Sequence, residues 1–122
     1  MRDLEGKTVF VTGASGIGLA MGRAFAEAGM RVMLADIEGK PLDQTVASFK
    51  GNLAEVRGVV CDVRDYADGE RAAQATIDVF GKVHVLCNNA GVSGARGADN
   101  ISLQDWRWTI DVNLMGVVHG LN

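Results

Sequence analysis

Of the 122 residues only two are cysteine, one is proline, one is tyrosine and two are histidine. No apolar run reaches the ~18 residues that a membrane-spanning helix needs. Met1 to Lys7 has no apolar core of the kind that directs export, so the expected location is the cytoplasm. Cys61 and Cys87 lack metal-ligand spacing, and each ends a Val-rich run, which predicts two small apolar groups packed in the core and not a disulfide. His84 and His119 have no neighbouring ligand residues, so no metal is expected. Like charges never cluster: 12 Lys and Arg stand against 15 Asp and Glu for a net charge of -3, which argues against a nucleic-acid partner. Hydrophobic residues at 48% and charged residues at 22% exclude a disordered chain, and the length predicts one domain over residues 1–122.

What is present is alternation. Short apolar runs at Lys7 to Thr12, Arg31 to Asp36, Glu55 to Cys61 and Val83 to Asn88 read as strands. Between them lie segments of helical period. The first follows Gly16, with Ile17, Met21, Ala24 and Ala28 in step and Gly29 as its stop. The second begins near Pro41 and carries Leu42, Val46 and Phe49; Ala73, Ile77 and Phe80 mark the third, closed by Gly81. The fourth starts at Ser102, a capping hydroxyl, with Asp105 near the positive helix end. Strands joined by helical crossovers must pair in parallel, so the fold class is a doubly wound α/β sheet with helices on both faces. Gly91 to Asn100 reads as a loop.

The turn between the first strand and first helix is Thr12-Gly13-Ala14-Ser15-Gly16-Ile17-Gly18. Glycine permits the sharp reversal and lets backbone approach a phosphate without a Cβ in the way. The helix that follows offers unpaired N–H groups to a pyrophosphate. Asp36 comes 20 residues after Gly16, at the carboxyl end of the second strand, where it can accept hydrogen bonds from ribose hydroxyls. The pair predicts NAD as cofactor. NADP is disfavoured, because the carboxylate repels a 2′-phosphate, Ile37 adds no positive charge, and Arg31 is about 16 Å away at the other end of the strand. Trp106, Ile110, Asn113 and Val117 share a helical face, which predicts a buried Asn113 amide holding a water or a backbone group. The two tryptophans, Trp106 and Trp108, read as packing and surface residues.

These residues, with Cys61-Asp62-Val63, Asn88-Asn89-Ala90-Gly91 and Asp111-Val112-Asn113-Leu114, occur in an order that resembles the short-chain dehydrogenases/reductases along essentially the whole chain. The resemblance implies a Rossmann-type sheet of strand order 3-2-1-4. It implies cofactor-binding roles for Gly13, Ser15, Gly16, Ile17, Gly18, Asp36, Asp62, Val63, Asn88, Ala90 and Gly91, with Asp62 at the adenine amino group. It makes Asn113 the catalytic residue that positions a water. It implies hydride transfer between NAD(H) and a small alcohol or carbonyl substrate, and a homo-oligomer for the intact protein.

Two departures stand out. The family's loop has three residues between its first two glycines, whereas this one has only Ala14 and Ser15, which predicts weaker cofactor binding. The family's Ser and Tyr-x-x-x-Lys are absent: Tyr66 is followed at the fourth position by Glu70. The expectation is a fragment, poorly soluble alone and inactive. The alternative function is a non-catalytic dinucleotide-binding module; a methyltransferase is a third reading, opposed by Asn-Asn-Ala-Gly.

Overall fold

The computed structural model describes residues 3–49, 55–92 and 102–121. Four strands, β1 (Thr8–Thr12), β2 (Arg31–Asp36), β3 (Val56–Val60) and β4 (Val85–Cys87), form one parallel sheet in the order β3-β2-β1-β4. The helices are α1 (Ile17–Glu27), α2 (Gly39–Ala47), α3 (Tyr66–Phe80), α4 (Leu103–Ile110) and α5 (Gly116–Leu121), the last two joined by a π-helical turn at Asp111–Met115. The element order and the strand order are those expected. Most of the Gly91 to Asn100 loop, residues 93–100, lies outside the described residues.

β1 is buried at all five positions and β2 at its middle four, because packed groups lie against both faces of each. On one face Val9, Val11, Val32 and Leu34 meet Ala26, Leu42 and Phe49; on the other Phe10, Met33 and Ala35 meet Ala72 and Phe80. Edge strand β3 is half-exposed throughout. β4 is shorter than the predicted Val83 to Asn88. Above it the His84 ring Nδ1 accepts the Thr8 N–H at 3.0 Å, a place a strand carbonyl would otherwise take, while the His84 N–H is donated to the Thr8 carbonyl at 2.9 Å.

Three helical faces differ from the sequence expectation. The buried face of α1 is Gly18, Gly22 and Ala26, whereas Ile17 is 73% exposed. The helix lies so close to the sheet that a Cβ at Gly22 would come within 3.1 Å of the Leu34 side chain. In α3 the buried stripe is Ala72, Thr76 and Phe80, one residue before the expected Ala73 and Ile77 at its first two positions. Thr76 can enter the core because its hydroxyl donates to the Ala72 carbonyl at 2.8 Å. The third correction concerns Asn113: it is exposed, as are Trp106 and Ile110, because α4 has no buried residue and the π turn carries Val112 and Gly116 inward. The extra residue in that turn breaks the 3.6-residue spacing on which the shared face was drawn.

Candidate functional site

A cleft of about 480 Å³ opens at the carboxyl ends of β1 and β2. Parallel α/β sheets bind ligands outside the carboxyl ends of their strands, beside the point where the strand order reverses, here between β1 and β4. The glycine loop forms one wall. Gly13 turns at φ 80° with its carbonyl accepting Asn89 Nδ2 at 3.2 Å; Gly16, at φ 54°, caps α1. The three glycines act differently. A Cβ at Gly13 would crowd Ala90 at 3.0 Å, and one at Gly18 would overlap the Gly13 carbonyl, but Gly16 faces open space. The helix start therefore presents backbone, unscreened by a side chain, to the direction from which an anion could approach.

The opposite wall is tied to this loop through Thr12. Its Oγ1 accepts the N–H groups of Asn89 and Ala90, both at 3.0 Å, and donates to the Cys87 carbonyl at 3.4 Å. This fixes Asn88-Asn89-Ala90-Gly91 beside the glycine turn. Beyond it Asn113 holds the chain by a reciprocal pair: Oδ1 accepts the Val92 N–H and Nδ2 donates to the Val92 carbonyl, each at 2.7 Å. The amide thus holds a backbone group, as expected, though from an exposed position.

The floor is acidic. Asp36 accepts the Ala14 N–H at 2.9 Å on Oδ2 and the Glu38 N–H at 3.4 Å on Oδ1. Asp62 is clasped by Arg64, with Nη2 at 2.8 Å from Oδ2 and Nε at 3.0 Å from Oδ1. These hydrogen bonds hold the Asp62 carboxyl below its ordinary value. The Asp62 N–H is in turn donated to Asp68 at 2.7 Å, which, with help from Arg71, lowers the Asp68 pKa as well.

The short chain dehydrogenase family model matches residues 7–122. The chain belongs to this family. D-threitol dehydrogenase of Mycolicibacterium smegmatis is 40% identical over 93% of the chain and 44% of its own length. The apo form of LigO from Sphingobium is similar in structure at TM-score 0.94 and 41% identity, over 99% of this chain and 46% of that one. A short-chain dehydrogenase/reductase from Burkholderia phymatum, solved in complex with NAD, superposes at TM-score 0.93 with 42% identity, over 99% of this chain and 43% of that one. This chain spans a little under half the length of these relatives.

Within this family member the cleft gathers Gly13, Ser15, Asp36, Asp62, Val63, Ala90 and Gly91, seven of the residues singled out from sequence. Gly16, Ile17 and Gly18 form the adjoining helix start and do not line it. Asn88 turns away. Its Nδ2 reaches the Val117 carbonyl at 3.5 Å, it lines a separate groove of about 310 Å³, and a Cβ on Gly120 would overlap it. Asn113 acts on the cleft only through Val92. Sequence reading missed Thr12 as the staple, Arg64 as the partner of Asp62, and Trp108 as a lining residue. The Asp-x-Arg spacing of Asp62 and Arg64 was a usable signal for the second, since two residues suffice for a side chain to turn back on a carboxylate.

Among the described residues no three His, Cys, Asp or Glu side chains are grouped to hold a metal, and no helix is long and apolar enough to cross a membrane.

Proposed function

We propose that this chain is the NAD-binding part of an oxidoreductase that moves a hydride between NAD(H) and a small alcohol or carbonyl substrate. The observation that carries the reading is the open Gly16 helix start adjoining a cleft that holds the Asp36 carboxylate at the next strand end. A dinucleotide fits this geometry. Its pyrophosphate would meet the N–H groups of Ser15, Gly16 and Ile17, its adenosine ribose Asp36, and its adenine Asp62 and Val63. The nicotinamide ring supplies the hydride acceptor or donor when bound. The chain's own residues bind and orient: Thr12 fixes the wall formed by Ala90 and Gly91, and Asn113 fixes Val92 over the same cleft. One amide hydrogen of Asn113 is left over from its pair with Val92, and this is the group we assign to holding a water.

Charge favours NAD over NADP. Asp36, Glu38 and Asp62 line the cleft against a single guanidinium, Arg64, which is already paired with Asp62. A 2′-phosphate would enter a net negative field with no free cation among these lining residues. Calorimetric titration of the chain with NAD and with NADP tests this. We expect NAD to bind at least about tenfold more tightly, a gap of roughly 1.4 kcal/mol; equal or stronger binding of NADP overturns the preference.

A further inference from the structure

The backbone pairing of β1 with β2 runs one residue past the strand, where the Gly13 N–H is donated to the Ala35 carbonyl at 2.8 Å. The next amide has no backbone acceptor. The Ala14 N–H is donated to the Asp36 side chain at 2.9 Å, so a carboxylate oxygen receives the first amide beyond the ladder, just after the turn at Gly13. Ala14 is only 2% exposed, so its amide is shielded from water while the carboxylate is in place. A single residue, Ser15, separates the anchored amide from Gly16, the cap of α1. With so short a link, a shift at Ala14 is passed directly to the helix start.

We propose that Asp36 is a positioning residue for the glycine loop, holding the phosphate-facing helix start in place through Ala14, in addition to meeting the ribose. The ligand side of this inference rests on the dinucleotide reading above; the loop side does not. The two roles separate chemically. Asp36→Asn keeps an oxygen that can accept the Ala14 N–H, and Asp36→Ala removes it. 2′,3′-Dideoxyadenosine diphosphate carries adenine and pyrophosphate but no ribose hydroxyls, so Asp36 can affect its binding only through the loop or through charge.

If the carboxylate anchors the loop, Asp36→Ala weakens dideoxy-ADP binding by on the order of tenfold, while Asp36→Asn, which keeps an acceptor and loses only the charge, binds as well as the parent or better. If Asp36 served the ribose alone, Asp36→Ala would bind this ligand as well as the parent or better, because a negative charge near the pyrophosphate has gone. That result overturns the proposal. Amide hydrogen exchange on the free chain gives a second readout that needs no ligand and also reports whether each variant is folded. Exchange at Ala14 should rise at least about tenfold in Asp36→Ala and stay close to the parent in Asp36→Asn, with Gly13 unchanged in both. Unchanged protection of Ala14 in a folded Asp36→Ala chain also overturns it. Failure of the parent to bind NAD removes the dinucleotide reading, and the exchange result still decides the anchor.

Discussion

Thr12 shows how much one side chain can do when it stands at a junction. It is 6% exposed, and its single oxygen serves two N–H groups from the Asn88-Asn89-Ala90-Gly91 turn and one carbonyl from β4. Cys61 shows the opposite case, a reactive group made inert by its setting. Burial, reinforced mainly by the nearby Asp68 charge, pushes its thiol up to about 11 from an ordinary 9.0. The unfolded chain therefore releases this proton at lower pH than the native one. The native advantage is whole below about pH 9 and is lost as pH rises through about 11, a loss of order 1 to 3 kcal/mol. Urea midpoints measured at pH 8 and pH 10.5 should fall for the parent and fall less for Cys61→Ala. An identical drop in both would remove this account of Cys61. At this scale positions were legible, as with Asp36 at a strand end and Cys61 in the core, but most hydrogen-bond partners were not. That Thr12 meets Ala90 depends on where two distant stretches come to rest, whereas the Asp62–Arg64 pair lay within reach of its two-residue spacing.

Among the elements, α1 was placed correctly and turned wrongly. Ile17, Met21 and Ala24 carry the apolar period, yet the face against the sheet is Gly18, Gly22 and Ala26, because a close approach of helix to strand admits only small groups. Apolar periodicity finds a helix but cannot weigh close packing against side-chain burial. Gly18 is the tightest of these positions. Its Cβ would strike both the Gly13 carbonyl and Asn89 Nδ2, the two partners of a hydrogen bond that joins the walls of the cleft. Gly18→Ala should cost about 3 kcal/mol or more and abolish NAD binding even where the chain remains folded. Thermal unfolding and a nucleotide titration of the variant check this; near-parental values in both would mean that the loop is far softer than its contacts indicate. The π turn at Asp111–Met115 is a second feature hidden from sequence, since no residue type marks it, and it moved Asn113 from the expected interior to the surface. α5 illustrates a legible cause found only afterwards. Gly116 and Gly120, one turn apart, let that helix press against Val63 and Asn88.

For the molecule as a whole, alternation of strand and helix was enough to give a parallel sheet, and the family resemblance gave its order β3-β2-β1-β4. The topology brings residues from three separate stretches, around positions 13, 36 and 62, to one end of the sheet, and the Ala90 turn closes the same cleft. Sequence motifs foresaw that convergence because each sits where a strand ends, and strand ends in a parallel sheet lie together. They could not foresee the web of hydrogen bonds that makes the cleft a fixed shape, with Asp36 on Ala14, Thr12 on Ala90 and Asn113 on Val92. The central claim is that this cleft receives an adenine dinucleotide along the Gly16 helix start. A crystal structure of the chain grown with NAD tests it most directly. The account predicts the pyrophosphate within hydrogen-bonding distance of the Gly16 and Ile17 N–H groups and a ribose hydroxyl on Asp36. Density for NAD in any other part of the molecule, with that helix start and Asp36 untouched, would contradict it.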